Sequence, residues 1–131
     1  MLVKETLAGC LAVGFDPYVG LYHRPRFGRP ALALDLAEEF RPLLADSTVL
    51  TLVNHHEVTK SSFLVRAGAV TLTNEGRRIV IRAWERRMRT LVRHPVFGYR
   101  VSYRRCVELQ ARMLAAYLLG ELPSYEPMVT R

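Results

Sequence analysis

The sequence predicts a mainly α-helical domain, and three observations lead to that fold class. Apolar residues recur at helical spacing along most of the 131-residue chain, with glycine or proline at the boundaries of the periodic stretches. Half of the residues are apolar, so a chain of this length can form a hydrophobic core. Strands and helices do not alternate, which excludes a doubly wound parallel sheet. We therefore expect one helical domain over residues 1–131.

The N-terminal half predicts two helices joined by a turn and a loop. Apolar spacing favours a first helix over residues 2–14, with Gly14 as its terminator. The second helix is expected to open at Pro30, because the missing N–H of a proline costs nothing in a first turn. Pro42 should kink or interrupt that helix, which then resumes to about residue 55.

The C-terminal half predicts one small β element and two longer helices. Residues 63–73 combine β-branched side chains with a glycine, a pattern typical of a short hairpin. A threonine is well placed to cap a helix over about residues 74–92. The sequence RHPVFGY then breaks the chain, and a last helix is expected over about residues 100–119.

Several further residues are expected to contribute to the core. Cys10 and Cys106 fall in apolar helical patterns and are interpreted as buried thiols, since two cysteines form neither a metal knuckle nor a disulfide scaffold. Trp84 is at helical spacing from apolar neighbours. Tyr125 and Met128 lie in an irregular tail from which they could dock onto the core.

The charge balance favours a polyanionic partner. Nineteen Lys and Arg residues face twelve Asp and Glu residues, for a formal net charge of +7, and only Lys4 and Lys60 are lysines. Arginine suits bidentate phosphate contacts, so nucleic acid is the leading partner class, with a well-solvated basic surface as the alternative. The N-terminal stretch is too short and too charged for a membrane span, so we expect no membrane partner and a reducing, cytoplasmic setting.

One stretch, HRPRFGRPALALDLAEEFR, concentrates candidate site residues. Asp35, Glu38 and Glu39 are spaced i, i+3 and i+4, so on a helix Asp35 shares a face with both glutamates. The helix macrodipole alone would stabilise one or two acids near a helix N-terminus. A divalent-metal site is the other interpretation, because His23 lies just upstream and one imidazole among carboxylates suits Mn²⁺ better than Mg²⁺.

A second constellation is an arginine stripe on the predicted helix over residues 74–92. Its members are spaced by four, four and three residues and are Arg78, Arg82, Arg86 and Arg89. Such a stripe is either phosphate-facing or acidic-partner-facing, because like charges at this spacing repel one another unless an anion is near. The alternative is a solvated face helped by Glu75 and Glu85.

These motifs together resemble the CRISPR-associated protein 1 family, the endonuclease and integrase of spacer acquisition. The segment GFDPYVGLYHRPRFGRPALALDLAEEFRPLLAD is similar to the family's signature. The later GAVTLTNEGRRIVIRAWERRM, the last helix with Gln110 and the closing Tyr125-Glu-Pro-Met resemble it too. The likeness covers nearly the whole chain and implies a helical bundle like the family's C-terminal catalytic domain.

The resemblance also implies roles for individual residues. His23 and Glu38 match two of the family's three ligands to one Mg²⁺ or Mn²⁺, and Asp35 matches a further acid that supports the site. Arg26 and Arg41 match basic positions close to the DNA. In the family, protein 1 forms homodimers that assemble with CRISPR-associated protein 2 and insert prespacer DNA at a CRISPR repeat by phosphodiester transesterification.

The chain departs from the family pattern in one respect. The family's first ligand is a glutamate in a segment upstream of the one that begins here at Met1, and Glu5 does not match that motif. We expect a truncated domain from which that segment and the family's N-terminal β-sandwich are absent. We therefore expect part of a metal-dependent DNA endonuclease and integrase, inactive or weak alone. The alternative is a non-catalytic DNA-binding or assembly module derived from that family.

Overall fold

The computed structural model describes residues 1–129, and helices account for more than half of the chain. In chain order the elements are α1 (Leu2–Val13), α2 (Ala31–Phe40), a π-helical segment (Arg41–Asp46), α3 (Ser47–Asn54), a 3₁₀ turn (Lys60–Ser62), β1 (Phe63–Arg66), β2 (Ala69–Leu72), α4 (Asn74–Arg89), β3 (Leu91–Arg93), β4 (Arg100–Ser102) and α5 (Tyr103–Leu118). The mainly α-helical prediction is correct for the helices and incomplete for the strands. The fold mixes helices with two small antiparallel sheets.

Helix α1 ends where the sequence predicts and packs against α2. Gly14 adopts a left-handed conformation with φ of 91°, and the Phe15 N–H donates to the Cys10 carbonyl at 3.0 Å. That arrangement satisfies carbonyls that the helix end would leave unpaired. The hydroxyl of Thr6 is fully buried and lies 2.8 Å from the Ala33 carbonyl oxygen, so it ties α1 to the helix that carries the acidic motif.

Pro42 interrupts the second helix, as predicted. Its missing N–H cannot continue the α-helical ladder, and the chain takes a π-helical turn over Arg41–Asp46 before it resumes as α3. Helix α3 ends at Asn54 with His55 at its C-cap, which agrees with the expected boundary.

The first hairpin confirms the prediction for residues 63–73. Strands β1 and β2 pair antiparallel, and the turn between them places Ala67 and Gly68 at φ of 48° and 78°. Two successive positive φ values characterise the tight turns whose twist matches a hairpin.

A second hairpin replaces structure that was predicted to be helical. Helix α4 ends at Arg89 rather than near residue 92, and α5 begins at Tyr103 rather than near residue 100. The intervening residues form β3 and β4, with Val92 opposite Val101. The turn between them includes Gly98 at φ of 73°, a conformation that favours glycine.

The core lies among α1, α2, α4 and α5. Its buried members include Leu32, Leu36, Phe40, Leu44, Trp84, Met88, Val107 and Met128. Cys10 and Cys106 are buried free thiols, as predicted, and burial raises the pKa of each to about 11. Tyr125 packs against this cluster and Met128 belongs to it, so the tail docks onto the core as expected. Within the described residues, no helix is long and apolar enough to cross a membrane.

Candidate active site and basic surface

The loop between α1 and α2 is folded back onto the start of α2. The Leu32 N–H donates to the Pro17 carbonyl at 2.9 Å, which holds the loop against the helix. A Cβ added to Gly20 would lie 2.3 Å from the His23 carbonyl oxygen and 2.6 Å from the Ala31 Cβ. Only glycine permits so close an approach, so this position brings His23 beside the first turns of α2.

Asp35 accepts four hydrogen bonds from this loop. Its Oδ2 accepts from the N–H groups of Leu21 and Tyr22 at 2.7 and 3.0 Å. Its Oδ1 accepts from the His23 N–H at 2.9 Å and lies 2.5 Å from the His23 Nδ1. A carboxylate has about four acceptor sites, so all of those on Asp35 are engaged.

This arrangement gives Asp35 an orienting role. Burial opposes the ionisation of Asp35, but the hydrogen bonds from Tyr22, His23 and Leu21 outweigh it and hold the pKa below its usual value. An ionised carboxylate fixes the Nδ1–H tautomer of His23, which leaves Nε2 with a free lone pair. Asp35 therefore suits the supporting position that the resemblance implies rather than a ligand position.

Glu38 and Glu39, adjacent on α2, lie in different environments. The Glu38 side chain is 57% exposed, and its Oε2 lies 3.8 Å from Nη1 of Arg41. One long contact leaves carboxylate oxygens available for a ligand. Arg41 is 61% exposed and also approaches Asp46 at 3.9 Å, so an acid flanks it on either side.

Glu39 is at the centre of a partly buried polar network that joins α2, α5 and the tail. Its Oε1 accepts from Gln110 Nε2 at 2.5 Å and from the Met128 N–H, and its Oε2 accepts from the Tyr125 hydroxyl at 2.5 Å. Burial raises the pKa of Glu39, and these three donors oppose that effect. Asp35 and Glu39, which were predicted to share one face of the helix, therefore have different roles. Asp35 binds the loop before α2, and Glu39 binds the C-terminal tail.

His94 extends this network towards the second hairpin. Its ring is fully buried, its Nε2 lies 3.2 Å from Gln110 Oε1, and its Nδ1 accepts from the Val96 and Phe97 N–H groups. Burial lowers the pKa of His94, so the neutral ring donates from Nε2 to Gln110. One sequence signal indicated the network, a glutamine at position 110 in the buried face of α5.

The donor set fits a divalent cation only in part. His23 Nε2 and the Glu38 carboxylate are a nitrogen and a hard oxygen of the types that Mn²⁺ or Mg²⁺ accepts. Over the described residues 1–129, no group of three or more His, Cys, Asp or Glu side chains could hold a metal ion. The ligand roles of His23 and Glu38 stay predictions.

The arginine stripe on α4 is exposed and interleaved with acids. Arg78 and Arg82 lie 3.8 and 3.2 Å from Glu75, and Arg86 lies 3.2 Å from Glu57. The three side chains are 76%, 69% and 62% exposed. The acid near each of these arginines reduces the repulsion expected along the stripe. A solvated face therefore accounts for the geometry. The phosphate-facing role of the stripe stays a prediction.

The arginines of the α1–α2 loop differ from those of α4. Arg24 and Arg26 are exposed, and neither has a carboxylate within 4 Å among the described residues. Two aromatic side chains in the same loop, Tyr22 and Phe27, have relative exposures of 90% and 109%. Basic and aromatic groups therefore project to solvent on both sides of His23 along the chain.

Comparison with known proteins identifies the family. The family model described as CRISPR associated protein Cas1 matches residues 1–86. The chain is 53% identical over its full length to a CRISPR-associated exonuclease Cas4/endonuclease Cas1 fusion from Geobacter sulfurreducens and covers 23% of that protein. It is 48% identical over its full length to CRISPR-associated endonuclease Cas1 3 of Thermus thermophilus, of which it covers 40%. The chain thus spans well under half of these two relatives.

Solved structures share the fold. A casposase bound to integration product has a TM-score of 0.87 at 24% identity, over 99% of this chain and 38% of that one. TM1797, a Cas1 protein from Thermotoga maritima, has a TM-score of 0.81 at 28% identity, over 92% and 37%. A chain of a Cas6-RT-Cas1–Cas2 complex has a TM-score of 0.80 at 21% identity, over 98% and 14%. The position of the matched segment along these longer proteins stays a prediction.

The sequence and the fold lead to the same assignment. The family model matches about two thirds of the chain, and the identity to the two relatives extends from its first residue to its last. The chain therefore belongs to the Cas1 family of CRISPR-associated proteins.

Proposed function

We propose that this chain supplies part of a metal-dependent DNA endonuclease and integrase site that acts in CRISPR spacer acquisition. The observation that carries the proposal is the contact between His23 and Asp35, which leaves the imidazole Nε2 free beside a surface rich in arginine. The relatives named as endonucleases, and the neighbour described as bound to integration product, support chemistry on DNA.

In this proposal His23 and Glu38 hold a divalent cation, Mg²⁺ or Mn²⁺. When bound, the ion would supply Lewis-acid stabilisation of the charge that develops on a phosphodiester. Asp35 keeps the proton on Nδ1 of His23, so that Nε2 presents a lone pair. Glu38 contributes an exposed carboxylate, and among residues 1–129 Arg41 is the one basic side chain within 4 Å of it, at 3.8 Å.

The arginines bind the DNA backbone in this proposal. Arg26 and Arg41 lie in or next to the elements that carry His23 and Glu38, and they would hold duplex prespacer or repeat DNA. Three arginines of α4 extend the basic surface, namely Arg78, Arg82 and Arg86. Their ion pairs are exposed and worth only about 0–1 kcal/mol each, so phosphate oxygens can replace the carboxylates.

Cas2 and a second copy of the chain are the proposed protein partners. Structural neighbours in Cas6-RT-Cas1–Cas2 complexes support a role beside Cas2. Exposed apolar side chains on the first hairpin, Phe63, Val65 and Val70, favour an assembly role because their burial against a partner would remove apolar surface from water.

A non-catalytic DNA-binding or assembly module is the second candidate function. The observation that favours it is the incomplete donor set, since no group of three potential ligands occurs between residues 1 and 129. Such a module would bind DNA through its arginines with no dependence on a metal.

Paramagnetic broadening of histidine NMR resonances by Mn²⁺ tests the metal site. The chain has four histidines, so the broadening at His23 can be compared with that at three other positions. Two of them, His55 and His56, are exposed and follow α3, and His94 is fully buried. We expect the His23 imidazole resonances to disappear at the lowest Mn²⁺ concentration. Glu38→Gln should raise the concentration required several-fold. Glu75→Gln, at a similarly exposed glutamate of α4, should leave it unchanged.

Parallel broadening of His23 and the two exposed histidines would overturn the metal site. The same protein could still bind duplex DNA with an affinity that falls steeply with salt and does not depend on Mn²⁺. That result would favour the non-catalytic DNA-binding or assembly module.

A further inference from the structure

The side chain of Gln110 joins three parts of the fold that meet in the core. It is fully buried on α5. Its Nε2 donates to Oε1 of Glu39 at 2.5 Å and lies 3.0 Å from both the Tyr125 hydroxyl and the Glu126 carbonyl oxygen. Its Oε1 lies 3.2 Å from Nε2 of His94. One amide group therefore connects α2 with the tail and with the second hairpin.

His94 determines which way this amide points. Its Nδ1 accepts from the N–H groups of Val96 and Phe97 at 3.3 and 3.4 Å, so the ring proton is on Nε2 and is donated to Gln110. A flipped amide would direct its NH₂ group at that proton and its oxygen at the carboxylate of Glu39, and both contacts would be repulsive. The NH₂ group of Gln110 is therefore held towards α2.

The turn of α2 that carries Glu38 lacks one hydrogen bond of the α-helical ladder. The N–H of residue 42 would donate to the Glu38 carbonyl, but Pro42 has no N–H. The chain continues as the π-helical segment Arg41–Asp46. The exposed Glu38 side chain adds only the contact with Arg41 at 3.8 Å. Neighbouring side chains that reach the core must therefore hold this turn in place.

Phe40 and Glu39 are those neighbours, and they act differently. The ring of Phe40 is fully buried, and its apolar packing is non-directional. The bond from Gln110 to the Glu39 carboxylate is directional and charge-assisted. Glu38 and Glu39 are adjacent in one helical turn, so a displacement of Glu39 also displaces Glu38. The contact with Gln110 therefore sets the rotation of the last turn of α2 about the helix axis.

We propose that Gln110 is a positioning residue for Glu38. It acts through Glu39, and it depends on His94 for the orientation of its amide. This rests on the proposed function in that Glu38 is taken as a ligand to the divalent cation. It goes beyond that function because it gives buried side chains of α5 and of the second hairpin a role in the site.

A reciprocal exchange of the amide and the carboxylate tests the proposal. Gln110→Glu alone places a carboxylate against that of Glu39, and Glu39→Gln alone places one NH₂ group against another. The double exchange restores a donor that faces an acceptor and keeps an acceptor for His94. Residual dipolar couplings measured by NMR in EDTA should change at the Glu38 and Phe40 N–H groups in both single variants. They should return towards the wild-type values in the double exchange.

Mn²⁺ broadening at His23 extends the comparison to the site. Each single variant should raise the Mn²⁺ concentration required several-fold, and the double exchange should lower it again. Gln110→Glu should add nothing further to Glu38→Gln, because both changes act on the same carboxylate. A purely structural role of Gln110 would instead make the two effects additive.

Thr6→Val is the matched control. It also removes a buried hydrogen bond to α2, the one between the Thr6 hydroxyl and the Ala33 carbonyl oxygen at 2.8 Å, but near the start of the helix. It should leave the couplings at Glu38 and Phe40 and the Mn²⁺ response at their wild-type values. If the carboxylate variants fail to fold, Gln110→Met removes the amide without adding a charge and should cause the same displacement.

Two results would overturn the inference. One is a set of wild-type couplings at Glu38 and Phe40 in Gln110→Met, and the other is a double exchange that behaves no better than the single variants. The couplings are measured without metal, so they decide the matter even if Mn²⁺ shows no preference for His23. A failure of the proposed metal site would appear in the Mn²⁺ response of the wild-type protein.

Discussion

The Nδ1 atom of His23 lies 2.5 Å from Oδ1 of Asp35. That carboxylate also accepts hydrogen bonds from three backbone N–H groups of the loop that precedes α2. One acid on α2 therefore orders a loop and orients a ring. A helix that presented acids merely to complement its macrodipole would leave them to solvent, so the macrodipole alone does not account for Asp35.

Asp35→Asn should loosen this loop in a pH-dependent way. The side-chain NH₂ group of the new asparagine would face backbone N–H groups, which are also donors, so at least one hydrogen bond would be lost. We expect a loss of about 1–3 kcal/mol in the free energy of unfolding at pH 7. The folded-state pKa of Asp35 is depressed below its usual 3.8, so its stabilisation is present above that pH and is lost as the pH falls through the folded-state pKa. Urea unfolding of both proteins between pH 7 and pH 2 should show the difference shrinking below about pH 3.8.

Asp46→Asn serves as the control for that experiment. Its carboxylate is 56% exposed and lies 3.9 Å from Arg41, so the substitution should change stability by less than about 0.5 kcal/mol. A difference between wild type and Asp35→Asn that stays constant down to pH 2 would show that the carboxylate's charge is not what holds the loop.

Gly20→Ala should displace His23 through a clash with its backbone, with the imidazole itself left unaltered. The added methyl group would lie 2.3 Å from the His23 carbonyl oxygen, a distance that requires the backbone to move. We expect a loss of about 1–3 kcal/mol from overpacking, faster amide exchange at Leu21 and His23, and a loss of the preferential Mn²⁺ broadening at His23.

Gly68→Ala separates this effect from general backbone strain. Gly68 has φ of 78° but nothing lies within 4 Å of an added Cβ, so only conformational strain is introduced. That variant should keep amide protection at Leu21 and His23. If both glycine variants changed the loop to the same extent, the close approach at Gly20 would not be what positions the histidine.

Much of the fold could be predicted from local sequence signals. Gly14 and Pro42 act through their own backbone chemistry, left-handed φ for one and a missing N–H for the other, so their effects were predictable without tertiary information. The second hairpin was missed because Leu91–Arg93 and Arg100–Ser102 are three-residue strands. So short a run carries no periodicity that distinguishes a strand from the frayed end of a helix.

The placement of the acids on α2 was predictable from the sequence, whereas the contacts of each acid were not. Helical spacing correctly put Asp35 and Glu39 on α2, but spacing does not say which neighbour covers each carboxylate. Glu39 is covered by Gln110 and Tyr125, which are more than 70 residues away along the chain. Contacts of that separation come from packing, and only the glutamine in the buried face of α5 hinted at them.

Tyr125→Phe should detach the tail from the core. The tyrosine hydroxyl donates to Glu39 Oε2, and its removal leaves a partly buried carboxylate oxygen without that donor. We expect a loss of about 1–3 kcal/mol in stability and faster amide exchange at Met128, whose N–H donates to the same carboxylate. Unchanged protection at Met128 would argue that apolar packing alone docks the tail.

Glu39 itself should give the opposite pH dependence to Asp35. Its folded-state pKa is raised above 4.5, mainly by burial, so the folded protein binds more protons than the unfolded chain above that pH. Stability therefore decreases as the pH rises from 4.5 through the folded-state pKa. Glu39→Gln should flatten that decline in urea unfolding curves, whereas Glu121→Gln, at an exposed position, should retain it. Identical slopes in all three proteins would exclude Glu39 as the titrating group.

Glu75→Gln should strengthen DNA binding if the arginines of α4 face phosphate. Glu75 lies within 4 Å of Arg78 and Arg82, so its charge competes with a phosphate for both guanidinium groups. Removal of that charge should raise affinity for duplex DNA a few-fold at low salt, whereas Arg82→Ala should reduce the slope of log affinity against log salt by about one.

Arg112→Ala is the matched control, because Arg112 pairs with Glu108 on α5 at 2.8 Å. If Glu75→Gln and Arg82→Ala both left DNA affinity and its salt slope at wild-type values, the stripe would be a solvated face. The phosphate contacts would then belong to other arginines, such as Arg24 and Arg26 beside His23.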